Sequence, residues 1–137
     1  MSGSIEKTGM SPKARTQTMD YPIAVTFAFR RDRLRIHKAT LEALHRPRYI
    51  QLLIHTQANV FVIRGCSALE RDCFEVAKNL FDKPSVAYEL TSRLFMRAIL
   101  NQTGWDENYS YRLNGHYSEQ LGVVSFDMNH PERITVK

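Results

Sequence analysis

Four arginines crowd one short stretch, Arg30, Arg31, Arg33 and Arg35, with Lys38 close behind and Arg46 and Arg48 on either side of Pro47. Side chains of an extended chain alternate between two faces. Arg33 and Arg35 alternate with Leu34 and Ile36, so a strand here turns its apolar residues inward and both guanidiniums outward. Guanidinium groups gathered on one face suit phosphate oxygens, and a row of such contacts gives salt-dependent binding to nucleic acid. These seven cations are the candidate nucleic-acid-binding residues. The competing reading is a solvated face whose charges find scattered partners.

The distribution of charge favours the first reading. The 137 residues carry a net charge of +5, but Tyr21 to Gly65 holds eight Lys or Arg against two acids, while Cys66 to Lys137 holds eight against ten and the first twenty residues add +1. One half is basic and the other slightly acidic. This asymmetry suits a polyanionic partner, or two opposite faces that meet in an oligomer.

Residue patterns for catalysis are missing. There is no GxSxG, no glycine-rich phosphate loop and only six glycines, so we expect no enzyme activity, no catalytic residues and no cofactor. The histidines, His37, His45, His55, His116 and His130, form no metal-binding pair at helical spacing, and no metal is expected. A zinc site from His37 or His45 with Cys66 and Cys73 is the remote alternative. The two cysteines suit one disulfide or two reduced thiols, and an intracellular compartment favours thiols. Trp105, Tyr109, Tyr111 and Tyr117 form an aromatic group. Trp105 reads as core, while the three tyrosines suit base stacking or a protein interface.

The elements that must position these residues make an α+β domain. Residues 1–20 read as a flexible N-terminal tail and 21–137 as a single domain. Strands are expected at Ile23 to Phe29, Leu34 to Ile36, Tyr49 to His55, Val60 to Arg64, Val86 to Leu90, Asn108 to Tyr117 and Leu121 to Met128, from alternation and β-branched content. A short helix follows Lys38 and stops at Arg46-Pro47. Ser67 and Glu70 have capping-box spacing ahead of Leu69, Cys73, Val76, Ala77 and Leu80, which predicts a helix to about Phe81. Ser92 caps another, from Arg93 to about Gln102, ended by Gly104. No apolar run reaches the roughly 18–20 residues of a membrane span. Met1 to Tyr21 lacks a signal peptide's apolar centre. A cytoplasmic protein without membrane contact is expected.

Residues 23–65 and 86–128 share the order strand, short helix, strand, hairpin, strand. Any small α+β domain can fall into that order. Read as a tandem β-α-β-β duplication, it predicts a pseudo-two-fold antiparallel sheet with short helices. Leu34 to Lys38, then Leu41 to Leu44, then Tyr49 to Ile54 and Phe61 to Arg64 resemble one half of the AbrB-type transition-state regulators. The resemblance spans residues 34–64 and rests on hydrophobic spacing. It implies swapped-hairpin barrels that bind DNA as dimers. The chain departs from that pattern in length, in its second half and in lacking a Gly-Asp start to the second strand. The tandem arrangement is also similar in topology to the TATA-binding-protein architecture. The expectation is a homodimeric, non-catalytic DNA-binding accessory or regulatory protein of bacterial or phage origin. A protein-interaction module or small inhibitor of the phage anti-defence type, and a nucleotide-sequestering protein, remain as alternatives.

Overall fold

The computed structural model describes residues 22–82 and 87–134; the expected tail, residues 1–20, lies outside them. The chain runs β1 (Ala24–Ala28), a 3-10 turn (Phe29–Arg31), β2 (Arg33–His37), α1 (Lys38–Ala43), β3 (Tyr49–His55), β4 (Val60–Cys66) and β5 (Cys73–Glu75). After a second 3-10 turn (Leu80–Asp82) come β6 (Ala87–Thr91), α2 (Arg93–Thr103), β7 (Ser110–Ser118), β8 (Val123–Asp127) and β9 (Glu132–Ile134). Among the described residues this is an α+β fold, mostly antiparallel sheet with two short α-helices. The strand order is β5-β3-β4-β8-β7-β1-β2-β6, with β9 added to β7. No described helix is long and apolar enough to cross a membrane.

β7 joins two sheets. Its residues 110–114 pair with β1, and Gly115 to Ser118 pair with β8. The change of partner falls at Gly115, whose N–H donates to the Ile23 carbonyl at 2.8 Å. A Cβ at this position would stand 2.5 Å from Phe126 and 2.9 Å from Val124. Glycine is needed here because the Phe126 ring and the Val124 side chain close on the backbone. At the far ends of the order, the Tyr88 hydroxyl of β6 donates to the Glu75 carbonyl of β5 at 2.9 Å and brings the outermost strands together.

The inner face is continuous. Phe27, Leu34, Ile36, Ile50, Phe61, Ile63, Leu113 and Phe126 are buried there, joined by Leu41 from α1 and by Met96 and Ile99 from α2. The two helices close opposite ends. The Thr40 hydroxyl of α1 donates to the Ala24 carbonyl and accepts from its N–H, both at 3.1 Å, so the start of β1 is satisfied without a strand partner on that side. Gln102 of α2 donates to the Thr56 carbonyl in the β3–β4 turn at 2.9 Å. Ser92 caps α2 through the Phe95 N–H, and Gly104 ends it in the left-handed region at φ 73°. Both ends agree with the sequence reading.

Residues 67–81 do not form the expected helix. The capping-box bonds are made, with the Ser67 N–H donating to Glu70 and the Leu69 N–H to Ser67 Oγ, but they close a turn. The chain then reverses through Asp72 at φ 61° and pairs as β5 with β3. Leu69, the first residue of the anticipated apolar face, is 95% exposed. Cys66 and Cys73, expected as thiols, form a disulfide across this turn. A zinc site using them is thereby removed, and the described residues hold no other metal-binding group.

Gly115→Ala should lower stability by about 1–3 kcal/mol through overpacking against Phe126 and Val124. Urea denaturation measures this; an unchanged midpoint would mean that the bend has room for a methyl group.

Candidate phosphate-binding groove

The outer face of β1, β2, β6 and β7 is set by what the inner face buries. Val25 and Phe27, Leu34 and Ile36, and Tyr111 and Leu113 are all buried. Their neighbours along each strand must therefore point out. Cross-strand register arranges these in rows. Arg33 lies opposite Ala28, which lies opposite Ser110; Arg35 lies opposite Thr26, which lies opposite Arg112. Glu89 faces Arg35 from β6, and Glu132 faces Arg112 from β9.

The result is a trough along β1 with small side chains on its floor. A groove of about 460 Å³ is lined by Thr26, Ala28 and Ser110 below and by Arg30, Arg31, Arg33, Arg35 and Glu89 around it. Arg30 and Arg31 come from the 3-10 turn between β1 and β2, which closes through Asp32 in the left-handed region at φ 51°. Ser92 N–H donates to the Asp32 carbonyl at 2.9 Å and pins that turn against the start of α2.

Charge at this face is largely uncompensated. Arg33 pairs with Glu89 at 3.2 Å, and both side chains are substantially exposed. Arg30, Arg31, Arg35 and Arg112 have no carboxylate partner among the described residues. His37 ends β2 on the same outward register, one step beyond Arg35. Half-burial holds its pKa below the ordinary value, and the charges of Arg112 and then Arg35 add to the effect. The groove thus offers guanidinium N–H donors and two hydroxyls, with a single carboxylate already engaged. Such a set is chemically suited to an anion.

The remaining candidates lie elsewhere. Lys38 opens α1 and does not line the groove. Arg46 and Arg48 do not extend the patch. His45 and Arg46 both take left-handed backbone geometry, at φ 65° and 54°, and turn the chain away at the end of α1. Arg46 is then held by Glu42 at 2.7 and 3.2 Å and lies over the Phe81 ring, while Arg48 sits 3.9 Å from Glu75. Both line a separate, smaller groove with Val76 and Phe81.

None of the three tyrosines lines the trough. Tyr111 is 3% exposed, its ring stacks on Trp105 at 4.6 Å, and its hydroxyl bonds both the N–H and the carbonyl of Asp106. It belongs to the core, and no base can stack on it. Trp105 also packs edge-on against Phe27 and Phe29, as a core residue does. Tyr109 lies beneath the Arg133 guanidinium at 4.1 Å, and Tyr117 meets His45. The residue types of Arg112, Thr26 and Ser110 alone do not mark them as part of this face. The alternation of Tyr111 and Leu113 signals that Arg112 points outward, but only the pairing of β7 with β1 shows which face it joins.

No family model, curated protein or solved structure matches the chain.

The position of His37 gives a pH prediction. The folded chain favours the neutral ring, while the unfolded ring titrates near its ordinary value of about 6.5. The unfolded state therefore takes up this proton first, and the residue's contribution to stability falls as pH drops below about 6.5. Arg112→Gln should raise the His37 midpoint, measured by NMR titration of the ring, without restoring it fully, because burial remains. An unchanged midpoint would show that the two side chains do not sense each other.

Proposed function

We propose that the protein is a non-catalytic nucleic-acid-binding protein, a DNA accessory or regulatory factor, that holds backbone phosphates on the outer face of β1, β2 and β7. The observation that carries this reading is the gathering of Arg30, Arg31, Arg33 and Arg35 around one trough, with Arg112 in register beside its floor residue Thr26 and one ion pair among the five. Keeping like charges together costs folding energy through repulsion. An anionic ligand relieves that cost. The floor presents no aromatic ring, so the contacts are to phosphate and carry no base readout.

The placement of the two β-α-β-β units also supports the reading. β2-α1-β3-β4 and β6-α2-β7-β8 follow the same order, with β2 paired to β6 and β4 paired to β8. His45, just past α1, meets Tyr117 near the β7–β8 turn, and Gln102 of α2 reaches the β3–β4 turn. Each helix thus sits by the hairpin of the other unit. This exchange is what a tandem duplication of a swapped-hairpin unit implies, in keeping with the AbrB-type resemblance of residues 34–64. A nucleotide-sequestering role is the second reading, because about 460 Å³ is also the size of a small-ligand site.

Fluorescence anisotropy with labelled DNA at two salt concentrations tests the proposal. Binding should weaken steeply with salt, and Arg33→Glu with Arg35→Glu should reduce affinity by roughly a hundredfold or more while the circular dichroism spectrum stays unchanged. Absence of wild-type binding at low salt contradicts it. Thermal stabilisation by a mononucleotide without DNA binding would favour sequestration.

A further inference from the structure

We infer that the trough seats two successive phosphates of one nucleic-acid strand, one at each row of outward residues. This rests on the nucleic-acid reading above and specifies how that site is divided. The first seat is the row Arg112, Thr26, Arg35, in which register sets a hydroxyl between two guanidiniums. With neighbouring strands about 4.8 Å apart, the two arginine Cα atoms stand about 10 Å from each other across β1. Long side chains leaning inward from that distance converge over Thr26, where both can donate to one phosphate. Each has no carboxylate partner among the described residues, and Glu89, which faces Arg35 in register, bonds Arg33 instead.

The second seat is the row Ser110, Ala28, Arg33, overhung by Arg30 and Arg31 from the adjoining turn. Only one guanidinium belongs to this row, and it shares Glu89, so the turn supplies the remaining positive charge. The two rows are two residues apart along each strand, about 6.7 Å. That separation is comparable with the distance between neighbouring phosphates along one strand. It is too long for a pyrophosphate, whose phosphorus atoms share a bridging oxygen. The small floor residues Thr26 and Ala28 let the backbone approach, and the groove holds no ring on which a base would stack.

The experiment uses the full chain and a fluorescein-labelled oligothymidylate, with displacement by three unlabelled competitors. These are thymidine monophosphate, thymidine diphosphate, and a 5′-phosphorylated thymidine dinucleotide carrying two phosphates one sugar apart. The dinucleotide should compete at least about tenfold better than either mononucleotide, as a second charge-assisted contact set is gained. A double-mutant comparison locates the seats. Arg35→Gln and Arg112→Gln act on one phosphate, so their combined loss of affinity should fall short of the product of the single losses. Arg33→Gln and Arg112→Gln act on different phosphates, and their losses should multiply. Losing one seat should lower the salt slope for single-stranded DNA by about 0.7. The inference is overturned if the diphosphate competes as well as the dinucleotide, or if Arg33 and Arg112 are coupled as strongly as Arg35 and Arg112. Failure of the oligothymidylate and of duplex DNA to bind at all would instead remove the nucleic-acid reading itself.

Discussion

Burial of Phe27 between the apolar sides of β2 and β7 governs the rest of the molecule. Phe27 is opposite Leu34 on one side and Tyr111 on the other, and all three are buried. Strands have a period of two, so a slip of one residue in either pairing would carry an arginine into the core and a core side chain into water. A buried, unpaired guanidinium costs several kcal/mol. The register is therefore held from inside, and the outer rows of Thr26 with Arg35 and Arg112, and Ala28 with Arg33 and Ser110, are its consequence. Rigid strand positions, more than loops, give the basic face its spacing.

The same arrangement explains why the face is charged without being matched. Acids are close by at Glu89 and Glu132, but only Glu89 is engaged, with Arg33 at 3.2 Å, and exposed pairs of this kind contribute about 0–1 kcal/mol. The second groove behaves differently. Arg46 has Glu42 and the Phe81 ring, and Arg48 has Glu75. Both of its arginines have partners within the fold. Arginines that look alike in sequence thus divide into a set that braces the end of α1 and a set left open above β1.

Much of this was legible where the signal is local. Alternation placed β1 through β4 to within two residues at either end, and Ser92 with Gly104 marked both ends of α2. Leu34 and Ile36 alone imply that Arg33 and Arg35 point outward. What could not be read depends on distant partners. The Ser67–Glu70 bonds form as anticipated, yet pairing of Phe74 with Ile50 and the Cys66–Cys73 bond draw the following chain into a strand. Nothing in the residue types of His45 and Arg46 signals left-handed geometry, so the departure of Arg46 and Arg48 from the patch was hidden. The arrival of Arg112 beside Thr26 needed the β1–β7 register, and that rests on Val25 meeting Leu113 and on the bend at Gly115.

On the proposed reading, phosphates lie on the outer face of β1, β2 and β7. The most direct measurement is the change in backbone amide NMR shifts as a short single-stranded DNA is added at low salt. The largest changes should cluster at Thr26, Ala28, Arg33, Arg35, Ser110 and Arg112 and in the turn bearing Arg30 and Arg31. Changes centred instead on Arg46, Arg48 and Phe81, or no changes at all, would contradict it.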